Sequence, residues 1–171
     1  MDRPAFSADS KLLAIATHDA QTVKVWDVAS GEEVFSAKGA PMSAVALSAE
    51  GRLLAAANSD NTISLWDLSI KDPKPRTLAG HSGRIHVLKF TPDAKTLVSS
   101  SSDGTIRLWN PDRERAFQES IPLGPPRQRL VFELDPSGQY LFVTGDSPVI
   151  FVLQSTRSSG QFRKTEHPTP R

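Results

Sequence analysis

A period of a little over forty residues constrains this chain more than any other feature, and two unrelated landmarks mark it. Trp26, Trp66 and Trp109 stand 40 and 43 residues apart, and each ends the same kind of alternating stretch: TVKVWD, TISLWD and TIRLWN. A turn sequence recurs independently as FSADS at 6–10, LSAEG at 47–51, FTPDA at 90–94 and LDPSG at 134–138, its leading apolar residues 41, 43 and 44 apart. Alternating apolar and polar residues bounded by Asp, Gly, Pro and Ser read as short strands. A repeat of this length is a supersecondary unit that stacks on its neighbours to bury its apolar surface.

The best-formed unit runs from Gly80 to Asn110. RIHVLKF is its first strand, and Thr91-Pro92-Asp93-Ala94 carries a type I turn signature. TLVSSSS follows, and Asp103-Gly104 predicts a two-residue hairpin. TIRLW then places Ile106 and Leu108 on one face and Arg107 and Trp109 on the other. The units run about 1–37, 38–79, 80–121 and 122–154. The first lacks most of its opening strand. The fourth is degenerate, with Val152 falling 43 residues after Trp109 at the tryptophan's place. Residues 155–171 are polar and Ser/Pro-rich and read as a disordered tail.

Gly80-His81 at the start, Asp103-Gly104 in the second turn and Trp109-Asn110 at the end resemble the WD-repeat β-propeller family. The resemblance implies an all-β, propeller-type array of about four four-stranded antiparallel blades. Such an array is incomplete and open, the C-terminal part of a longer propeller. It also implies that His81, Ser99, Asp103 and Trp109 form a buried hydrogen-bonded chain. The same residue types make a hydrolase triad, but a nucleophile needs a sharp exposed turn and an oxyanion hole, and no GxSxG occurs. The other units erode the chain of hydrogen bonds: the second keeps Asp60 and Trp66 with Ala56 in the serine's place, and the first keeps Trp26 and Asp19. In the family, one rim of loops often meets partners. Here that rim includes His18, Met42, Asn58, Asn61, Arg84, Ser102, Arg127 and Arg129.

Charge excludes some classes of function. Twenty basic and nineteen acidic side chains give a net charge of +1 with no block of one sign, so no nucleic-acid stripe is expected. There is no cysteine, hence no disulfide and no thiolate metal site. The longest apolar run, 149–153, is too short to span a bilayer, and Met1 to Ala5 precede no signal-peptide core, which points to the cytoplasm. His18, His86 and His167 share no metal-ligand spacing, no phosphate-binding glycine loop is present, and no cofactor is implied. The expected function is a non-catalytic scaffold for a protein partner, with self-association through uncovered blade faces. A regulatory or sensory module of a larger signalling enzyme, such as a bacterial protein kinase, is the alternative reading.

Overall fold

The computed structural model describes residues 4–17, 21–38, 42–113, 117–123, 125, 129–145, 150–156 and 161–165. Strands alone make up its regular structure. The first sheet holds β1 (Ala5–Phe6), β2 (Leu12–Thr17), β3 (Thr22–Asp27) and β4 (Glu33–Lys38). The second holds β5 (Met42–Leu47), β6 (Leu53–Asn58), β7 (Ile63–Asp67) and β8 (Arg76–Leu78). The third holds β9 (Ile85–Phe90), β10 (Leu97–Ser101), β11 (Thr105–Trp109) and β12 (Phe117–Pro122). The fourth holds β13 (Val131–Leu134), β14 (Tyr140–Thr144), β15 (Ile150–Thr156) and β16 (Gln161–Thr165). Every sheet is an antiparallel meander in sequence order, and the four stack as an unclosed array of propeller blades.

Each inner sheet is apolar on both faces. Ala14, Ala16, Val23 and Val25 of the first sheet meet Val45, Leu47, Leu54, Ala56 and Trp66 of the second. The second sheet's other face, with Ala55, Ala57, Ile63 and Leu65, meets Ile85, Leu88, Leu97 and Trp109 of the third. Val87, Val98, Ile106 and Leu108 then meet Phe132, Leu141, Val143, Leu153 and Phe162 of the fourth. The alternation read from TIRLW is therefore the one observed: Trp109 faces the preceding sheet, and Ile106 and Leu108 face the following one. Hydroxyls bridge the blades as well, Ser43 Oγ donating to the Ile85 carbonyl at 2.9 Å and Ser100 Oγ to the Leu130 carbonyl at 2.8 Å.

The recurring turn has a physical reason. At its start, Ser7, Ser48, Thr91 and Asp135 each accept the backbone N–H five residues on, from Leu12, Leu53, Thr96 and Tyr140, at 2.6–3.1 Å. The fourth residue donates its N–H back to the first residue's carbonyl in every unit, closing a β-turn. That fourth residue is left-handed each time: Ser10 (φ 59°), Gly51 (φ 70°), Ala94 (φ 56°) and Gly138 (φ 69°).

Three expectations are corrected. The β10–β11 connection is three residues, 102–104, with only Gly104 left-handed (φ 83°), because Gly104 N–H donates to Ser101 and Asp103 stays free to use its carboxylate. The tryptophan's place in the fourth sheet belongs to Leu153. Leu13, Leu54 and Leu97 pair with Trp26, Trp66 and Trp109, and the next in the series, Leu141, pairs with Leu153. A one-residue slip in counting moves a side chain to the opposite face, which is why Val152 lies on the outer side. Finally, 155–171 is not all tail: β15 continues to Thr156, and β16 adds a fourth strand whose Phe162 is buried against the third sheet's core.

An alanine held at positive φ is strained by about 1–2 kcal/mol, and glycine removes the strain at a smaller entropic cost. Ala94→Gly is therefore expected to raise stability by about 0.5–1 kcal/mol in chemical denaturation. Gly138→Ala should lower it by at least as much, since its new Cβ would also stand 2.7 Å from Pro92 Cδ.

Candidate functional site

The segment from β8 to β9 carries Gly80 and His81 past the end of the third sheet. A Cβ at position 80 would stand 2.3 Å from Arg107 Nη1 and 3.2 Å from the Trp109 ring, so glycine lets the backbone run close to both without displacing the Arg107 side chain. His81 is thereby delivered into the sheet, 8% exposed, between Ser99 on β10 and Asp103 in the turn. Trp109 Nε1 donates to Ser99 Oγ at 2.9 Å, and Ser99 Oγ lies 2.7 Å from His81 Nε2. His81 Nδ1 lies 2.7 Å from Asp103 Oδ2. Ser99 can accept the indole proton and give its own to Nε2, leaving Nδ1–H to donate to the carboxylate. Asp103 is further held by Thr105 Oγ1 at 2.6 Å and by the Ser82 and Thr105 backbone N–H groups.

Charge follows the same pattern. Burial lowers the His81 pKa and outweighs the upward pull of Asp103, so the imidazole is neutral near pH 7. Burial would raise Asp103, but hydrogen bonds from Thr105 and His81 hold it below the ordinary carboxylate range. The three catalytic residue types are thus assembled in triad order, yet Ser99 is 0% exposed and its oxygen is already engaged by the indole. No substrate carbonyl can approach it. The arrangement ties the interblade segment to the sheet.

The other predicted structural positions depart from this pattern. Trp66 is buried and packs edge-on to Phe35, ring centres 6.0 Å apart. Asp60 is exposed and caps its own turn through Thr62. Trp26 is half-buried beneath Lys24, whose Nζ stands 5.8 Å from the ring centre.

Of the predicted rim, Arg84 and Ser102 are brought together, the Ser102 N–H donating to the Arg84 carbonyl at 2.8 Å. Ser102 Oγ also lies 2.7 Å from His86 Nε2. Asn61 is left-handed in the β6–β7 turn, and Arg129 is exposed ahead of β13. Asn58 does not offer a surface group: it is buried, and its amide donates to Thr62 and Ser64 at 2.9 Å each, so it organises the turn. His18, Asp19, Arg127 and His167 lie outside the described residues, as does the Met42 side chain. Sequence reasoning missed the groove along the inner strands, where Arg84, His86, Lys89 and Arg129 line a cavity of about 980 Å³ with Phe6 and Phe90. These residues are distant in sequence, and only blade stacking makes them neighbours.

Stacked four-stranded meanders with this staple define β-propeller blades. The chain carries WD repeats: residues 31–67 and 73–110 match the WD domain, G-beta repeat model. Each match begins at the last strand of one sheet and ends at the tryptophan strand of the next, so a sequence repeat spans two blades. The chain is 37% identical over 106 residues to the Protein LST8 homolog of Drosophila melanogaster (57% of this chain, 34% of the relative). It is 34% identical over 167 residues to Apoptotic protease-activating factor 1 of Danio rerio (92% and 13%). It is 32% identical over 106 residues to a Guanine nucleotide-binding protein subunit beta-1 of Nicotiana tabacum (57% and 28%). The chain thus spans about a third or less of these relatives. In fold it resembles the β-propeller domain of Cps50 (Swd1) from Myceliophteria thermophila, with a TM-score of 0.80 at 17% identity, over 94% of this chain and 55% of that one. WD-repeat propellers generally serve as non-catalytic platforms for protein–protein interaction. No helix among the described residues is long and apolar enough to cross a membrane.

Ser99→Ala strands two buried groups, the Trp109 N–H and His81 Nε2, and should cost about 1–3 kcal/mol in chemical denaturation. The histidine also sets a pH dependence. Its folded pKa is depressed, so below about 6.5 the unfolded chain binds a proton that the folded chain refuses. Stability is accordingly full above that pH and falls below it. The denaturation midpoint should drop between pH 7.5 and 5.5, and the drop should shrink in His81→Gln.

Proposed function

We propose that this chain is a non-catalytic protein-interaction scaffold, four blades of a larger propeller ring, with its partner held at the rim formed by the loops ahead of β9 and β13 and the β10–β11 turn. The observation that carries the reading is the inaccessible serine. Among the described residues, the Ser99–His81–Asp103 constellation is closed off by Trp109, so the residue types that could have reacted are committed to holding the loops in place. Loops fixed by a rigid stacked core are well suited to present variable contact residues. Arg84 and Arg129 are exposed on this rim, line the inner groove with His86, and give the partner an acidic character. The kinship with WD-repeat relatives supports the same reading.

The test is crosslinking co-purification from cells, with partners quantified for the wild type, for Arg84→Ala/Arg129→Ala and for Lys95→Ala on the opposite end of the sheets. Rim partners should fall roughly tenfold in the double variant, about 1.4 kcal/mol, and stay level in Lys95→Ala. Partner recovery unchanged in the double variant would overturn the rim assignment.

A further inference from the structure

The inner strands β5 and β9 lie against each other, and both carry the same irregularity at the same place in the repeat. Met42 pairs with Asn58 and Ala44 with Ala57, which leaves Ser43 as an extra residue. Ile85 pairs with Ser101 and Val87 with Ser100, which leaves His86 as the extra residue 43 positions later. A bulge of this kind re-aims the side chain that it inserts. Both side chains line the groove of about 980 Å³, with Arg84 at one end of β9 and Lys89 and Phe90 at the other. Each is fixed in place, Ser43 by the Ile85 carbonyl and His86 by Ser102.

Fixed charge in this groove has one sign. Arg84, Lys89 and Arg129 line it, and no carboxylate is among its described lining residues. An acidic group reaches in from outside: Glu133 of β13, whose Oε1 pairs with Lys89 Nζ, keeps 70% of its side chain exposed against 36% for Lys89. An ion pair this exposed holds weakly, so another carboxylate can take Glu133's place.

We infer that the partner held at the rim inserts an extended acidic segment into this groove, one of its carboxylates displacing Glu133 from Lys89. The inference rests on the rim reading, and it adds which part of the partner is bound and which contact must break. Length sets the kind of ligand. From Arg84 to Lys89 a strand rises about 16 Å, so an extended peptide needs at least about five residues to reach both cations. A single small anion cannot span them. The arginines can take carboxylates bidentately, and Lys89 adds a point charge deeper in. Phe6 and Phe90 give the same segment apolar surface to lie on. Glu133 is thereby a competitor within the chain. It neutralises Lys89 until a segment bearing several carboxylates arrives, which favours such segments over isolated ones.

The full 171-residue chain, titrated into fluorescein-labelled hexaglutamate and followed by fluorescence anisotropy, should bind it and should not bind labelled hexalysine. Lys89→Ala should weaken hexaglutamate about fivefold. Glu133→Gln should tighten it about threefold, the size of an exposed ion pair. Damage to the fold does not tighten binding, so this variant separates a lost competitor from a lost structure. Lys95→Ala, on the opposite end of the sheets, should leave the affinity unchanged. Four results would each overturn the inserted segment: no binding of hexaglutamate, equal binding of hexalysine, an affinity unmoved by Lys89→Ala or not raised by Glu133→Gln, or displacement by oligouridylate at lower concentration than by unlabelled hexaglutamate. The rim reading fails separately, when co-purified partners survive Arg84→Ala/Arg129→Ala. Partners lost in that double variant but kept in Lys89→Ala would leave the rim standing and remove the groove.

Discussion

A four-stranded sheet with apolar side chains on both faces exposes one oily side to water unless something lies against each of them. Everything else in this structure depends on that constraint. Ala55 and Leu54 are neighbours in sequence and both fully buried, yet they belong to different cores on opposite sides of one sheet. A blade is therefore stabilised chiefly by its neighbours, in the manner of other quasi-one-dimensional repeats. One tryptophan in such a junction removes roughly 150–250 Å² from water, about 4–6 kcal/mol at the usual coefficient. The period of the sequence reflects this: it is the length of chain needed to make a sheet and cross to the next.

Polar chemistry is used to join what stacking alone leaves loose. Within a blade, turn-start oxygens at Ser7, Ser48, Thr91 and Asp135 accept the N–H that the sheet leaves unpaired. Between blades, the Trp109–Ser99–His81–Asp103 chain fastens the connecting segment to the third sheet. The second blade does without it, because Ala56 stands in the serine's place and is buried in the apolar junction instead. Burial of His81 suppresses its charge, which makes the staple dependent on pH.

Resemblance to a triad is a matter of residue order and distance, and here both are satisfied without catalysis. Access separates the two roles. Ser99 sits in mid-strand under an indole, whereas a nucleophile needs an open approach and donors waiting for the oxyanion. Stacking creates other surfaces, the rim of turns and the inner groove lined by Arg84, His86 and Arg129.

Much of this was legible in the residues themselves. The period, the strand type and the two-sided alternation in TIRLW follow from local pattern and spacing, since strands alternate strictly and turns demand particular residues, while the partners of His81 came from the resemblance to WD-repeat blades. Register in the fourth blade was not legible: a 44-residue spacing replaced a 43-residue one, and a single residue decides whether Leu153 or Val152 faces the core. Nor could composition reveal that the polar segment around Phe162 pairs as β16, because the partner strand β15 and the apolar floor supplied by the third sheet lie far away in sequence. The sequence by itself determined that the chain is a string of two-faced sheets. Tertiary structure decided which face of each sheet meets which neighbour, which serine is sealed and which aromatic rings remain in water, because those outcomes depend on contacts between residues tens of positions apart.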